Sequence, residues 1–304
     1  MTQKKITTLL ISLLLGFLSI AQEKKVEIHE LRENMYMVVY DWPSRITLSV
    51  AEDGILMVDS GLKDNISIIY DAIAKKFNNK PIKYVISTHS HGDHTGGIPF
   101  LLEKGTLNIA HDYVKEVMNQ LYYVDEIGNE TTDTINGKPK RDFQSHELPQ
   151  ITISDRMTLE FNKEAIELIH VPDAHSKGDL LVWFKDKNVI AMGDNYFGDA
   201  YTYSQSFEGM IKAHEITLQL INEETIIVPG HGVKSSKKEL ALYLKMLKDV
   251  TNIIKTKIKE GKTLDEVTND SSITEKYDEK YGQLFMSGKL FRERIYKEYS
   301  PEIF

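Results

Sequence analysis

Residues 89–94 read His89-Ser90-His91-Gly92-Asp93-His94 and decide how the rest of the chain is interpreted. His89 and His91 are two residues apart on an extended segment, so that their side chains point to the same side. Gly92 allows the backbone to turn and to present Asp93 and His94 as a second pair. Four metal-binding side chains within six residues indicate a metal site, whereas the competing interpretation is a solvated, histidine-rich loop.

Three remote residues are candidate partners for this motif. His175 lies in Val-Pro-Asp-Ala-His-Ser, His231 in Val-Pro-Gly-His-Gly and Asp194 in Met-Gly-Asp-Asn, each after a predicted strand. The chain has no cysteine, so disulfides and thiolate ligands are excluded. A site of histidine and carboxylate donors suits zinc, and also manganese or iron.

The hydrophobic pattern predicts strands first, helices between and after them, and then strands and helices again. Predicted helices cover 64–77, 111–121 and 207–221, and the chain from about residue 234 has helical periodicity. The predicted strands lie at 35–40, 45–51, 54–58, 84–87, 107–110, 151–153, 156–161, 165–171, 179–184, 188–192 and 225–228. This order indicates sheets packed between helical layers, but leaves several α/β or α+β topologies open.

The histidine and aspartate set resembles the metallo-β-lactamase superfamily across roughly residues 26–235. The resemblance implies an α/β fold, a four-layer αββα sandwich, followed here by a C-terminal helical extension. It also implies that two zinc ions per chain share a hydroxide, with iron or manganese as other possible metals. The implied ligands are His89, His91 and His175 for the first metal, Asp93, His94 and His231 for the second, and Asp194 as the bridge.

The same resemblance implies the chemistry. Asp93 would be both a metal ligand and the catalytic residue that orients the hydroxide. Asp59 stands where the family often has an acid that holds a ligand histidine, although it could equally be a turn residue before Gly61. Asp194 resembles the bridging aspartate of glyoxalase II and of lactonases, while one major group of true β-lactamases has a cysteine as a ligand of the second metal.

The expected reaction is therefore hydrolysis of an ester, lactone, thioester or β-lactam bond in a small-molecule acyl substrate. Two alternatives remain open at this stage. One is an iron-dependent oxidoreductase on the same fold, and the other is a binding protein whose metal site is not catalytic. A β-lactamase proper is kept as a subset of the hydrolase hypothesis.

The N-terminus has the layout of a secretory signal peptide over residues 1–21. Lys4 and Lys5 precede an uncharged apolar run that ends near Ser19-Ile20-Ala21, whose small residues suit a cleavage site before Gln22. About 15 apolar residues are fewer than the roughly 20 that span a bilayer. We therefore expect a periplasmic or secreted protein without a stable membrane anchor.

Charge and composition complete the expectations. The 304 residues carry a formal charge of −8, and loss of the two lysines of residues 1–21 would make it −10. An acidic chain argues against nucleic acid and anionic membranes as partners. We expect a catalytic domain over 22–233 and a helical extension over 234–304, whose roles could include a homodimer interface.

Several further residues receive weaker assignments. Residues 125–150 are expected to form a long loop or lid, and Lys177 to change the charge at the rim of the site. The tyrosines at 196, 201 and 203 could line the pocket or could serve packing. Five histidines have no partner pattern and are assigned to structure or surface: His29, His111, His146, His170 and His214.

Overall fold

The computed structural model describes residues 25–40, 44–119 and 145–300, and within 120–144 it describes four two-residue strands. The predicted signal peptide and most of the predicted loop at 125–150 lie outside the described residues. No helix within the described ranges is both long and apolar enough to cross a membrane.

The first sheet has seven strands in the order β1-β2-β3-β4-β5-β6-β11. Strands β1 to β4 form an antiparallel meander, while β4, β5, β6 and β11 run parallel to one another. The strands are β1 Glu27–Arg32, β2 Met35–Val39, β3 Ile46–Ala51, β4 Gly54–Val58, β5 Ile82–Ile86, β6 Leu107–His111 and β11 Ile151–Ile153. Four short strands precede β11: β7 Tyr123–Val124, β8 Glu130–Thr131, β9 Thr134–Ile135 and β10 Lys138–Pro139.

The second sheet has six strands in consecutive order, β12 to β17. Neighbouring strands are antiparallel, except that β15 and β16 are parallel because helix α5 connects them. The strands are β12 Arg156–Phe161, β13 Glu164–Val171, β14 Asp179–Phe184, β15 Val189–Ala191, β16 Ile226–Val228 and β17 Ser235–Ser236.

The helices form two outer layers. The first layer packs on the first sheet, and the second layer, which includes the C-terminal helices, packs on the second sheet. The first set is α1 Ile66–Lys76, α2 Gly92–Thr95, α3 Ile98–Glu103 and α4 Asp112–Asn119. The second set is α5 Phe207–Leu220, α6 Lys237–Lys259, α7 Leu264–Asn269, α8 Glu275–Tyr281 and α9 Gly288–Tyr299.

Alternation along the strands explains the layering, because successive side chains of a strand point to opposite faces. In β4, Leu56 and Val58 belong to the apolar cluster between the sheets, whereas Ile55 and Met57 pack toward the helices of the first layer. Both faces of the strand are buried, which accounts for its continuous apolar sequence. The predicted α/β sandwich of four layers, with helices at its C-terminal end, is confirmed.

Strand β1 is a feature that the sequence reading missed. Three of its six residues are charged, and none of them is fully buried, because the strand lies at the edge of the first sheet. Edge strands commonly carry charged side chains that discourage pairing with other chains. The expected apolar alternation is therefore absent from this strand.

Candidate metal centre

The predicted ligands all follow the carboxyl ends of strands. The motif at 89–94 comes after β5, His175 after β13, Asp194 after β15 and His231 after β16. Short loops after these strands bring the segments together at one edge of the sandwich. Binding sites commonly form where several strands of an α/β fold end.

Three histidines form what we call the first ligand group: His89, His91 and His175. The Nε2 atoms of His89 and His175 lie 3.6 and 3.5 Å from Oδ2 of Asp194. Nε2 of His175 is also 3.1 Å from Nδ1 of His91. Donor atoms of these four residues all lie within 4.8 Å of one another, which is close enough for one metal ion to contact them.

The second ligand group consists of Asp93, His94 and His231. The Nε2 atoms of His94 and His231 lie 3.1 and 3.2 Å from Oδ1 of Asp194. The same two nitrogen atoms lie 3.3 and 3.4 Å from Oδ2 of Asp93. Asp194 therefore turns one carboxylate oxygen toward each group and stands between them.

Hydrogen bonds fix the direction of two ligand histidines. Nδ1 of His175 lies 2.8 Å from the backbone carbonyl of Tyr203, and Nδ1 of His94 lies 2.8 Å from Oδ2 of Asp59. Both partners can only accept, so each Nδ1 carries the donated proton and a metal would take the lone pair of Nε2. This is the usual support for a metal-binding histidine.

The hydroxyl of Thr88 fixes the direction of His89 in the same way. Oγ1 of Thr88 donates to Oδ2 of Asp59 at 2.9 Å, and it therefore accepts from Nδ1 of His89 at 3.1 Å. Asp59 also accepts from the backbone amide of Thr88 at 2.8 Å. Asp59 thus contacts a ligand of each group, directly through His94 and indirectly through Thr88.

Several atoms at the centre have the character expected of metal ligands. Nε2 of His89, Nε2 of His94 and Oδ1 of Asp194 are buried and make no hydrogen bond among the described residues. Buried polar atoms without partners cost free energy, and cations held in the two groups would satisfy all three. The residues therefore fit a metal ion.

Electrostatics supports the same fit. Burial opposes ionisation of Asp194, but His231 and His94 hold the pKa of its carboxyl well below the usual range. Burial and the neighbouring His175 lower the pKa of His91 to about 3, which keeps this imidazole neutral. Burial disfavours a charge on His94 as well, yet the surrounding carboxylates, Asp194 foremost, raise its pKa well above its usual value. The negative potential at His94 is one that a cation relieves.

Two glycines leave the space that the packing around Asp194 requires. A Cβ atom added at Gly230 would lie 2.0 Å from Oδ1 of Asp194, and one added at Gly193 would lie 2.6 Å from Oγ1 of Thr88. Gly193 also has a φ of 52°, which side chains disfavour. These close approaches exclude any side chain at either position without movement of the centre.

Asp93 is the most exposed of the seven residues. Its side chain is 19% exposed, whereas the other six residues are each below 9%. Its backbone carbonyl accepts a hydrogen bond from Oγ of Ser44 at 2.5 Å. The open side of the centre is thus the side on which Asp93 lies.

Two aromatic side chains that the sequence reading did not identify also adjoin the centre. The rings of Phe197 and Phe285 lie 4.6 and 4.9 Å from the ring of His231. Phe285 comes from the chain between α8 and α9, far from every ligand in sequence. The only sequence signal for this segment was its wealth of tyrosine, which does not reveal which ring reaches the centre.

The remaining candidates lie elsewhere. Tyr196 and Tyr201 are buried in the apolar cluster between the second sheet and its helices, while Lys177 lies 5.7 Å above the ring of Tyr113. His111 stacks on His170, with 3.8 Å between ring centroids. The other three histidines are also outside the two groups: His29, which faces Glu27, exposed His146, and His214, which is buried and stacks on Tyr243.

Known proteins are similar to this chain in sequence. A curated metallo-beta-lactamase type 2 of Bacillus sp. strain 170 is 26% identical over 247 residues, which cover 77% of this chain and 83% of that protein. A Schizosaccharomyces pombe protein named probable hydroxyacylglutathione hydrolase is 24% identical, with 58% of this chain and 59% of that protein covered.

Solved structures confirm the fold. A metallo-beta-lactamase from Pontibacter korlensis superposes with a TM-score of 0.60 at 16% identity, and the match covers 74% of this chain and all of that one. The family model for the metallo-beta-lactamase superfamily matches residues 39–201, more than half of the chain. The resemblance inferred from the motif is therefore confirmed, and the chain belongs to the metallo-beta-lactamase superfamily.

Proposed function

We propose that the protein is an exported hydrolase that holds two metal ions, zinc in the first instance, and cleaves an ester, lactone, thioester or β-lactam bond. One observation carries the proposal. The two oxygens of Asp194 face different ligand groups, at 3.5–3.6 Å on one side and 3.1–3.2 Å on the other. A carboxylate in that position would contribute one oxygen to a cation in each group, and two cations would supply the chemistry of hydrolysis.

The metal pair would supply a lowered pKa for an attacking water and would polarise the substrate carbonyl. The protein side chains determine where that water stands. Oδ2 of Asp93 faces His94 and His231, which leaves Oδ1 to accept a proton from the water and to orient it toward the substrate. The exposure of Asp93 is consistent with a role at the face where substrate enters.

The range of acyl substrates follows from the donor set and from the relatives. The curated relatives named above are a β-lactamase and a hydroxyacylglutathione hydrolase, so that β-lactam and thioester cleavage both occur among similar proteins. This chain has an aspartate at the bridging position and no cysteine anywhere. We therefore regard β-lactams as one subset of the substrates to be tried.

The test combines metal analysis with a substrate screen of the purified protein. We expect about two zinc ions per chain and hydrolysis of nitrocefin, an aryl ester or a thioester that a chelator abolishes and zinc restores. His91→Ala should abolish turnover, while His146→Ala, an exposed histidine outside both groups, should not. Iron in place of zinc, without chelator-sensitive hydrolysis, would favour the oxidoreductase alternative.

The proposed export is tested separately. The full chain expressed in a bacterium should be found outside the cytoplasm with Gln22 as its first residue. A variant in which the apolar run is interrupted, such as Leu14→Arg, should stay in the cytoplasm at full length. Full-length wild-type protein confined to the cytoplasm would contradict the proposal.

A further inference from the structure

Phe197 and Phe285, which we call the aromatic wall, stand beside both ligand groups. Their ring centroids are 4.7 Å apart, and each ring lies within 5 Å of His231. Phe197 is also 6.3 Å from the ring of His175, a member of the first ligand group. The wall therefore runs along the metal centre and does not merely touch one end of it.

The segment that supplies Phe285 is attached to the chain that follows Asp194. The backbone amide of Tyr201 donates to the carbonyl of Tyr281 at 2.8 Å. The hydroxyl of Tyr203 donates to the carbonyl of Phe285 at 2.6 Å. Because the carbonyl of Tyr203 also receives the hydrogen bond of His175, one residue fixes both a metal ligand and the wall.

Burial distinguishes the two members of the wall. Phe197 is only 2% exposed and forms the buried part of the aromatic wall, whereas Phe285 is partly exposed. The next residue, Met286, is packed into the apolar cluster of the second sheet, and the preceding Leu284 is 51% exposed. The segment with Leu284 and Phe285 thus presents partly exposed apolar surface next to the polar candidate metal centre, an arrangement typical of a ligand pocket.

We propose that Phe285 is a specificity-determining residue that receives the apolar acyl chain of the substrate. This inference rests on the proposed hydrolase function and names its substrate class as esters or thioesters of medium-length or aromatic carboxylic acids. The acyl chain is joined to the carbonyl carbon through a carbon atom, whereas the leaving group begins with an oxygen or sulfur atom that becomes anionic when its bond to the carbonyl carbon breaks. Of the two parts, the acyl chain is therefore the one that apolar aromatic rings accommodate better.

The first experiment compares 4-nitrophenyl acetate with 4-nitrophenyl octanoate on zinc-loaded protein. Phe285→Ala should reduce kcat/KM for the octanoate ester about tenfold or more and leave the acetate ester within about twofold. Phe285→Leu, which restores apolar contact, should recover most of the loss. The control is Phe77→Ala, a partly exposed phenylalanine that packs on Tyr36 in the opposite layer. Equal losses on both esters, or no loss on the octanoate ester, would overturn the inference.

A binding measurement separates this inference from the proposed function. Calorimetry of the zinc-loaded protein should show tighter binding of octanoate than of acetate, and Phe285→Ala should remove that preference while the zinc content stays unchanged. If neither ester is hydrolysed but the preference is present and depends on Phe285, only the hydrolytic function fails. Equal affinity of the wild type for both carboxylates would refute the role of Phe285.

Discussion

The two ligand groups differ in how the protein supports them. In the first group, neutral acceptors hold the histidines, namely the hydroxyl of Thr88 and the carbonyl of Tyr203. In the second group, carboxylates take this place: Asp59 forms a hydrogen bond with His94, and Asp93 is itself a member of the group. The first group is fully buried, while the second has its opening at Asp93.

This difference indicates a division of tasks. Burial and neighbouring imidazoles lower the pKa of His89 and of His91, so that these two side chains offer neutral lone pairs. The second group gathers negative charge around His94 and lies at the more exposed side of the centre. A metal at the first group would therefore be held mainly by fixed neutral donors and a metal at the second mainly by charge, and Asp194 adjoins both groups.

The largest effect is expected from Asp194→Asn, which removes the charge that the two groups share. An amide offers one neutral oxygen to one group and places an NH₂ against the other. We expect the zinc content to fall from about two to less than one per chain and kcat/KM to fall about a thousandfold or more. Metal analysis and hydrolysis assays measure both quantities.

The control for that variant is Asp186→Asn, an exposed aspartate in the turn between β14 and β15. It should retain both metals and full activity. Two tightly held zinc ions in Asp194→Asn would show that Asp194 does not bridge the groups.

A smaller and selective effect is expected from Asp59→Asn. Asp59 has a φ of 62°, a conformation that asparagine also tolerates, so that the backbone should persist. Loss of the charge behind His94 should weaken the second metal about 10- to 100-fold, and it should weaken the first metal less, because Asp59 reaches His89 only through the neutral hydroxyl of Thr88. Stepwise zinc titration with a chromophoric competitor separates the two affinities. An equal loss at both sites would contradict the division by charge and geometry.

The smallest effect is expected from a change of Glu164, a buried carboxylate that has no histidine partner. Glu164 is 2% exposed, and burial raises its pKa to about 7, the opposite of the shift at Asp194. Since the folded-state pKa lies above that of the unfolded chain, its contribution to stability is fully present below about pH 4.5 and is lost as the pH rises to about 7.

Glu164→Gln removes this dependence. The free energy of unfolding of the variant, relative to wild type, should rise by roughly 3 kcal/mol between pH 4.5 and pH 8. Urea denaturation at both pH values measures the change. Activity and zinc content should not change, and a pH-independent difference in stability would show that burial does not raise the pKa of Glu164.

The sequence predicted the ligand residues better than their supports. His89, His91 and His94 are recognisable because the motif is local, and Asp194 because it follows a strand within the family pattern. The carbonyl of Tyr203 could not be predicted, because every residue has a carbonyl and only the fold selects one. Phe285 was missed for a related reason, since its contact with His231 joins residues 54 positions apart.

The fold itself was predictable where both faces of a strand are buried. Gly54–Val58 and Asp179–Phe184 were predicted with the bounds that the structure shows, because buried strands are continuously apolar and end at polar or turn residues. The charged edge strand at 27–32 gave no such pattern. Assignment of the helices after residue 234 to the second outer layer depends on tertiary packing, which periodicity alone does not specify.

The segment that carries Phe285 is attached through main-chain carbonyls, which determines how the proposed substrate preference could change. The carbonyls of Tyr281 and Phe285 make the bonds that hold the segment, so that its side chains can be replaced while the anchors remain. Gly193 and Gly230, by contrast, tolerate no side chain beside Asp194. A mutant library selected for new substrates should therefore accumulate changes at 284 and 285 and retain both glycines, so that selectivity can diverge while the reaction chemistry is inherited intact.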